Sequence, residues 1–195
     1  MSMRRILIMI CIVYPVILLA QTPKLTESTE EDFKSCQRRE VAFVKSEEIV
    51  KVDGTISVKT KKGTVSFKDD LTEENYRTYE YVGDLIQDKI ALIMTQDLHT
   101  DRYIAIDLST GDQKVLIGFP HVYVDKIVCL QGAETDSYSQ IELWTFNDGK
   151  LIKSKSFGLG RNIYPADIVW RNENEILIED STGKFWKTKM EATGS

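Results

Sequence analysis

The sequence predicts an all-β fold, an antiparallel meander of about four units with three or four strands each. Three observations support this prediction. Short apolar or alternating runs recur from residue 40 to residue 190, turn residues separate the runs, and a glycine marks the last hairpin of each unit. These glycines are Gly63, Gly111, Gly149 and Gly183, at spacings of 48, 38 and 34 residues. Such spacings suit four-stranded propeller blades, so we expect a propeller-like arrangement, with a twisted β-sandwich or open barrel as the alternative.

The first two units show the strand and turn chemistry most clearly. Asp53-Gly54 offers two residues that tolerate positive φ, as a type I′ hairpin turn requires, and alternation begins at Thr55. In the second unit, four apolar or alternating runs lie between Tyr79 and Pro120. Period-two alternation indicates antiparallel strands with one buried face and one wet face.

The third unit runs from about His121 to Ile163, and the fourth begins after Pro165. Their strands carry the three tryptophans of the chain, which are Trp144, Trp170 and Trp186. We expect these rings to fill the core or cap the faces of the units.

The amino terminus predicts export. Arg4 and Arg5 precede an uncharged apolar run of 14 residues, Ile6 to Leu19, and Ala20 supplies a small residue for cleavage. A helix of that length spans about 21 Å, which is short of a bilayer core of about 30 Å, so a membrane anchor is disfavoured. We therefore predict a signal peptide at 1–20 and a secreted or periplasmic protein.

The remaining chain divides by composition. The acidic, apolar-poor residues 21–39 are expected to form a flexible arm, with a short helix from Glu30 to Arg39 as the alternative. Residues 40–190 are expected to form a single all-β domain, and 191–195 a frayed tail. Nothing after residue 20 is apolar enough to span a membrane.

Charge and cysteine content limit the function classes. Loss of two arginines with the signal would change the formal charge from −5 to −7, which disfavours nucleic acid as a partner. Cys36 and Cys129 remain in the mature chain. They either form a disulfide, as exported proteins allow, or are unrelated thiols, with Cys129 buried in a strand.

Several short motifs carry a resemblance. These are Tyr79-x-Tyr-x-Gly83, Ile106-Asp-Leu-x-Thr-Gly111 and Gly118-Phe-Pro120, following a signal peptide. With these motifs the chain resembles small exported bacterial proteins with β-propeller-like repeats, over roughly residues 40–190. The resemblance implies a fold and a compartment but no site residues, and the chain lacks a Trp-Asp dipeptide that closes a blade.

Metal and catalytic chemistry find little support in the sequence. Asp97, His99 and Asp101 occupy alternate positions that would share a face on an extended segment, so they are weak candidates for a surface metal site. A polar loop with a solvated histidine is the favoured interpretation. His121 is the only other histidine, and no nucleophile motif accompanies either one. We expect no cofactor and no enzymatic activity.

Recognition would lie in the longest loops, 132–138 and 158–164. Tyr138, Arg161, Asn162 and Tyr164 offer rings, a charge and an amide to a partner. The sequence therefore predicts an exported non-enzymatic binding module that contacts another protein, in an inhibitor, immunity-type or assembly role. The alternative is a small secreted carbohydrate-binding protein or a carboxylate-dependent hydrolase.

Overall fold

In a computed structural model the chain is described over residues 23–37, 43–85, 89–98, 100–132, 139–159 and 163–190. The chain is all-β in these residues, as predicted, with four antiparallel sheets and one helix. The predicted signal peptide, the whole of the predicted tail and the predicted site residues Tyr138, Arg161 and Asn162 lie outside the described residues. No helix in the described part is long and apolar enough to cross a membrane.

The strands follow one another in an up-and-down order. Sheet 1 contains β2 (Lys51–Val52), β3 (Thr55–Thr60) and β4 (Gly63–Lys68). Sheet 2 contains β5 (Arg77–Leu85), β6 (Ile90–Asp97), β7 (Asp101–Asp107) and β8 (Gln113–Leu116). Sheet 3 contains β9 (Pro120–Tyr123), β10 (Lys126–Gln131), β11 (Gln140–Asn147) and β12 (Lys150–Gly158). Sheet 4 contains β13 (Pro165–Asn172), β14 (Glu175–Asp180) and β15 (Phe185–Lys189), and β1 (Thr26–Glu27) pairs with β15 at its edge.

Successive sheets pack face to face through alternate residues of the same strands. In β6, Ile90 and Leu92 join the cluster between sheets 2 and 3, whereas Ala91 and Ile93 join the cluster between sheets 1 and 2. These four residues are fully buried. Both faces of the middle sheets are therefore covered, which differs from the expected pattern of one buried and one wet face.

The tryptophan prediction is confirmed for two of the three rings. Trp144 packs between sheets 2 and 3, and Trp170 packs between sheets 3 and 4. Trp186 is half-buried and packs against the cluster between sheets 3 and 4. The clusters of described residues join sheets 1 to 2, 2 to 3 and 3 to 4, an arrangement that is propeller-like or sandwich-like and is not a closed barrel.

The two outermost faces of this stack differ. The outer face of sheet 1 is polar and exposed, and the hydroxyls of Ser57 and Ser66 lie 3.0 Å apart on it. The outer face of sheet 4 is apolar, and helix α1 (Glu30–Gln37) covers it. Phe33 of the helix packs there against Val169 and Leu177.

Helix α1 packs against sheet 4 as part of the folded domain. Residues 26–37 therefore do not form the expected flexible arm. The Thr29 hydroxyl accepts a hydrogen bond of 3.2 Å from the backbone N–H of Asp32, which caps the first turn. Acidic residues in that turn complement the helix dipole. Phe33, 1% exposed, then anchors the helix on sheet 4. The alternative of a short helix from Glu30 is correct, with its end at Gln37.

The structure also decides between the two interpretations of the cysteines. Cys36 lies in α1 and Cys129 lies in β10, and both thiols are buried and free. They belong to different clusters, one beneath the helix and one between sheets 2 and 3. The Cys36–Cys129 disulfide is therefore wrong, because the folded sheets hold the two side chains in separate parts of the core.

Aspartates repeatedly close the turns between strands. The Asp180 carboxylate accepts hydrogen bonds from the backbone N–H of Thr182 (2.9 Å) and Lys184 (3.0 Å), and from the indole N–H of Trp186 (2.8 Å). Burial opposes ionisation, but these bonds and one from the Thr182 hydroxyl outweigh it and lower the pKa of Asp180 to about 2. The predicted Asp53-Gly54 turn is also present, with φ of 47° and 71°.

Candidate functional site

The candidate site lies at the end of the molecule where β5, β9 and β13 begin, which we name the loop end. Residues 69–76, 117–119 and 163–164 lead into these strands there. Leu98 and Thr100, which lie between β6 and β7, are at the same end, because antiparallel neighbours reverse direction. Side chains from three sheets therefore converge at the loop end.

Phe119 forms the centre of an aromatic cluster at the loop end. Its ring makes edge-to-face contacts with Phe43, Tyr103 and His121, at centroid distances of 5.1, 5.5 and 5.4 Å. The side chain is nevertheless 38% exposed. Phe119 is thus an aromatic ring held in one orientation with part of its surface open to solvent.

Gly118 permits this placement of Phe119. A Cβ at this position would lie well inside contact distance of the Leu130 carbonyl oxygen in sheet 3. Only glycine allows the β8–β9 connection to run so close to the backbone of β10 here. The Gly118-Phe-Pro120 motif therefore has a structural cause, but the motif alone does not reveal that the Phe119 ring is exposed.

His121 links sheets 3 and 4 next to this cluster. Its Nε2 lies 3.8 Å from Oδ1 of Asp167, a distance that allows an ion pair when the imidazole is protonated. Its backbone carbonyl accepts a hydrogen bond of 2.8 Å from the Trp170 indole. The imidazole is largely buried against Phe119. These contacts fix the relative position of β9 and β13 below the exposed ring.

A polar cleft of about 720 Å³ opens beside the cluster, between sheets 1 and 2. We name it the tyrosine–arginine cleft. The charged, amide and tyrosine side chains that line it are Lys68, Asp70, Glu74, Asn75, Tyr76, Arg77, Tyr79, Asp97 and Arg102.

The strand register of sheet 2 orders this lining. Arg77 lies directly opposite Asp97, and Tyr79 lies opposite Thr95, which in turn lies opposite Arg102. Directly opposite residues share a face, with Cβ atoms about 5 Å apart. One face of sheet 2 therefore presents the Tyr79 ring, the Thr95 hydroxyl and the Arg102 guanidinium in a row. The Arg77–Asp97 pair lies beside this row on the same face.

The carboxylates of this cleft are fixed by local turns. Oδ1 of Asp97 accepts a hydrogen bond of 2.9 Å from the backbone N–H of Thr100. Oδ1 of Asp70 accepts bonds from the hydroxyl (2.7 Å) and the backbone N–H (3.1 Å) of Thr72, and these bonds lower the pKa of Asp70. Both groups thus hold their positions as acceptors.

The predicted site residues have different outcomes. Tyr164 lies at the loop end with 55% of its surface exposed, and its backbone carbonyl accepts a hydrogen bond from Ser181. Of the metal candidates, Asp97 caps a turn, Asp101 is exposed at the start of β7, and His99 lies outside the described residues. No group of three or more His, Cys, Asp or Glu side chains in the described part is arranged to hold a metal ion.

A second cleft, of about 360 Å³, lies at the opposite end between sheets 2 and 3. Lys153 lines it and donates a hydrogen bond of 2.9 Å to the buried carboxylate of Glu142. The Trp144 indole donates to the other carboxylate oxygen at 3.1 Å. Lys153 therefore satisfies a buried charge and has a clear structural role.

Comparison of this chain with protein-family models, with curated proteins and with solved structures found no match.

Proposed function

We propose that this protein is an exported, non-enzymatic binding module that contacts another protein through its loop end. The observation that carries the proposal is the exposed ring of Phe119, held by Phe43, Tyr103 and His121. An aromatic ring that is already ordered loses little conformational entropy on binding, and such rings are typical anchors of protein interfaces.

Other exposed apolar side chains at the same end support the proposal. Leu71 is 70% exposed and Leu98 is 63% exposed, each in a loop at the loop end. Tyr164 adds a second exposed ring. The partner would bury these side chains, and it would present an apolar pocket to Phe119.

The test is capture of a partner from an envelope extract with the chain from Gln21 to Ser195. Variants Phe119→Ser, Leu98→Ser and Tyr164→Ala are compared with Ile152→Ser, which removes an exposed side chain (51%) at the other end of the molecule. We expect one stoichiometric partner that Ile152→Ser retains and the loop-end variants lose by about tenfold or more. Thermal unfolding of each variant separates loss of binding from loss of fold.

No stoichiometric partner, or a partner that all three loop-end variants retain, would contradict the proposal.

Export has a separate test. Expression of the full chain is expected to give an extracytoplasmic product that begins at Gln21, because Ala20 precedes it after the apolar run. Recovery of the uncleaved chain in the cytoplasm would refute export and leave the binding proposal to its own experiment.

A further inference from the structure

We propose that the tyrosine–arginine cleft is a second binding site, for an uncharged oligosaccharide. This site goes beyond the proposed protein contact, because it lies between sheets 1 and 2 and its lining shares only Leu98 with the side chains of that contact. Its shape, its hydrogen-bonding groups and its charge balance each point to this ligand class.

The first argument is the tyrosine rings. Tyr76 and Tyr79 line the cleft and are both half-buried, so part of each ring remains accessible. Tyr79 packs against Phe67 with ring centroids 5.2 Å apart, which fixes its orientation. A tyrosine held in this way offers an apolar face for a sugar ring and a hydroxyl for its edge.

The second argument is the mixture of donors and acceptors. Arg77 and Arg102 contribute guanidinium donors in a planar fork, and the charge of Arg77 is close enough to Asp70 to help to lower the pKa of that carboxyl group. Asp97 and Glu74 supply acceptors, and Asn75 supplies an amide with both. Sugar hydroxyls both donate and accept, so they match a surface on which both kinds of group lie side by side.

The third argument is charge. The cations Lys68, Arg77 and Arg102 are balanced by the carboxylates Asp70, Glu74 and Asp97. A cleft with equal numbers of both signs has no net attraction for a polyanion or a polycation. A neutral polar ligand, by contrast, can use every one of these groups.

The experiment uses the chain from Gln21 to Ser195. Its probes are six neutral hexasaccharides: malto-, cello-, laminari-, xylo-, manno- and chitohexaose. Binding is measured by calorimetry at up to about 5 mM sugar, which detects affinities down to the millimolar range. The variants are Tyr76→Ala and Arg102→Gln, and the matched control is Lys114→Gln, an exposed residue at the other end.

We expect at least one hexasaccharide to bind the wild-type chain. Tyr76→Ala and Arg102→Gln should each weaken that binding about tenfold or more, and Lys114→Gln should leave it unchanged. Thermal unfolding verifies that each variant is folded.

Three results would overturn the proposal. They are no binding of any of the six sugars, binding that neither cleft variant weakens, or tighter binding of polyglutamate than of any sugar. Loop-end variants outside the cleft, such as Phe119→Ser, are not expected to affect sugar binding, so failure here is distinguishable from failure of the protein-contact proposal.

Discussion

Thr26 lies directly opposite Lys187 in an antiparallel pair, although 161 positions of sequence separate them. This pairing adds a strand from the beginning of the chain to the edge of the last sheet. Helix α1 follows at once and covers the outer face of the same sheet. Residues 26–37 therefore complete the last unit of the fold, and we expect the stability of the protein to depend on them.

We predict that Phe33→Ala lowers the free energy of unfolding by about 3–5 kcal/mol, because it removes a fully buried ring between α1 and sheet 4. Urea denaturation monitored by circular dichroism measures the change. Glu31→Ala is the control, since Glu31 is an exposed residue of the same helix. If Phe33→Ala unfolded in a single transition with the same free energy of unfolding as the wild-type protein, the helix would not contribute to global stability.

Gly118→Ala is expected to destabilise the protein by about 1–3 kcal/mol, because the added methyl group would overlap the Leu130 carbonyl and force the β8–β9 connection away from β10. Gly132→Ala is the matched control, because a Cβ there meets nothing within 4 Å. The midpoint of urea denaturation gives the comparison. Equal midpoints for the two variants would contradict the close approach of Gly118 to the backbone of β10.

Lys153→Met is expected to cost about 1–3 kcal/mol, because it leaves the buried Glu142 carboxylate with the Trp144 indole but without its cation. The loss should largely disappear in a Glu142→Gln background, where no charge remains to be paired. Lys150→Met, an exposed lysine of the same strand, is expected to change little. A double-mutant cycle on chemical denaturation measures the coupling, and no coupling would argue against the pair.

Stability is expected to fall as the pH drops from about 4 to about 2, in part because Asp180 must then be protonated. A carboxyl group with a lowered pKa stabilises the fold above its ordinary pKa, and it loses that contribution as the pH falls through the folded value. Asp180→Asn should therefore be less stable than the wild-type chain at pH 7, and the gap should narrow towards pH 2. Thermal unfolding against pH tests this, with Asp148→Asn, in an exposed turn, as the control. A difference in stability between Asp180→Asn and the wild-type protein that does not change with pH would refute this prediction.

Much of the sheet structure could be predicted because it is encoded locally. Asp53-Gly54 specifies its turn through two positive φ angles, and alternation in Gln140–Phe146 specifies the two faces of β11. The division into four antiparallel sheets could likewise be predicted from the spacing of the hairpin glycines.

The remaining features depend on contacts between distant residues. Nothing in Thr26–Glu27 distinguishes a two-residue strand from a solvated segment, because its stability comes from pairing with β15. The exposure of Phe119 depends on the approach of Gly118 to Leu130. The arrangement of Arg77, Asp97 and Arg102 in the cleft depends on strand register, which the sequence of a single strand does not specify.

The hydroxyl-bearing outer face of sheet 1 has a consequence for assembly. If the outer face of the last sheet in such a stack were apolar, a sheet of a second copy of the protein could pack against it. Repetition of that contact would produce a fibre. Ser57 and Ser66 make the outer face of sheet 1 polar, while helix α1 covers the outer face of sheet 4. Neither outer face of the stack is therefore an apolar surface on which a further sheet could pack, and the reason differs between the two faces.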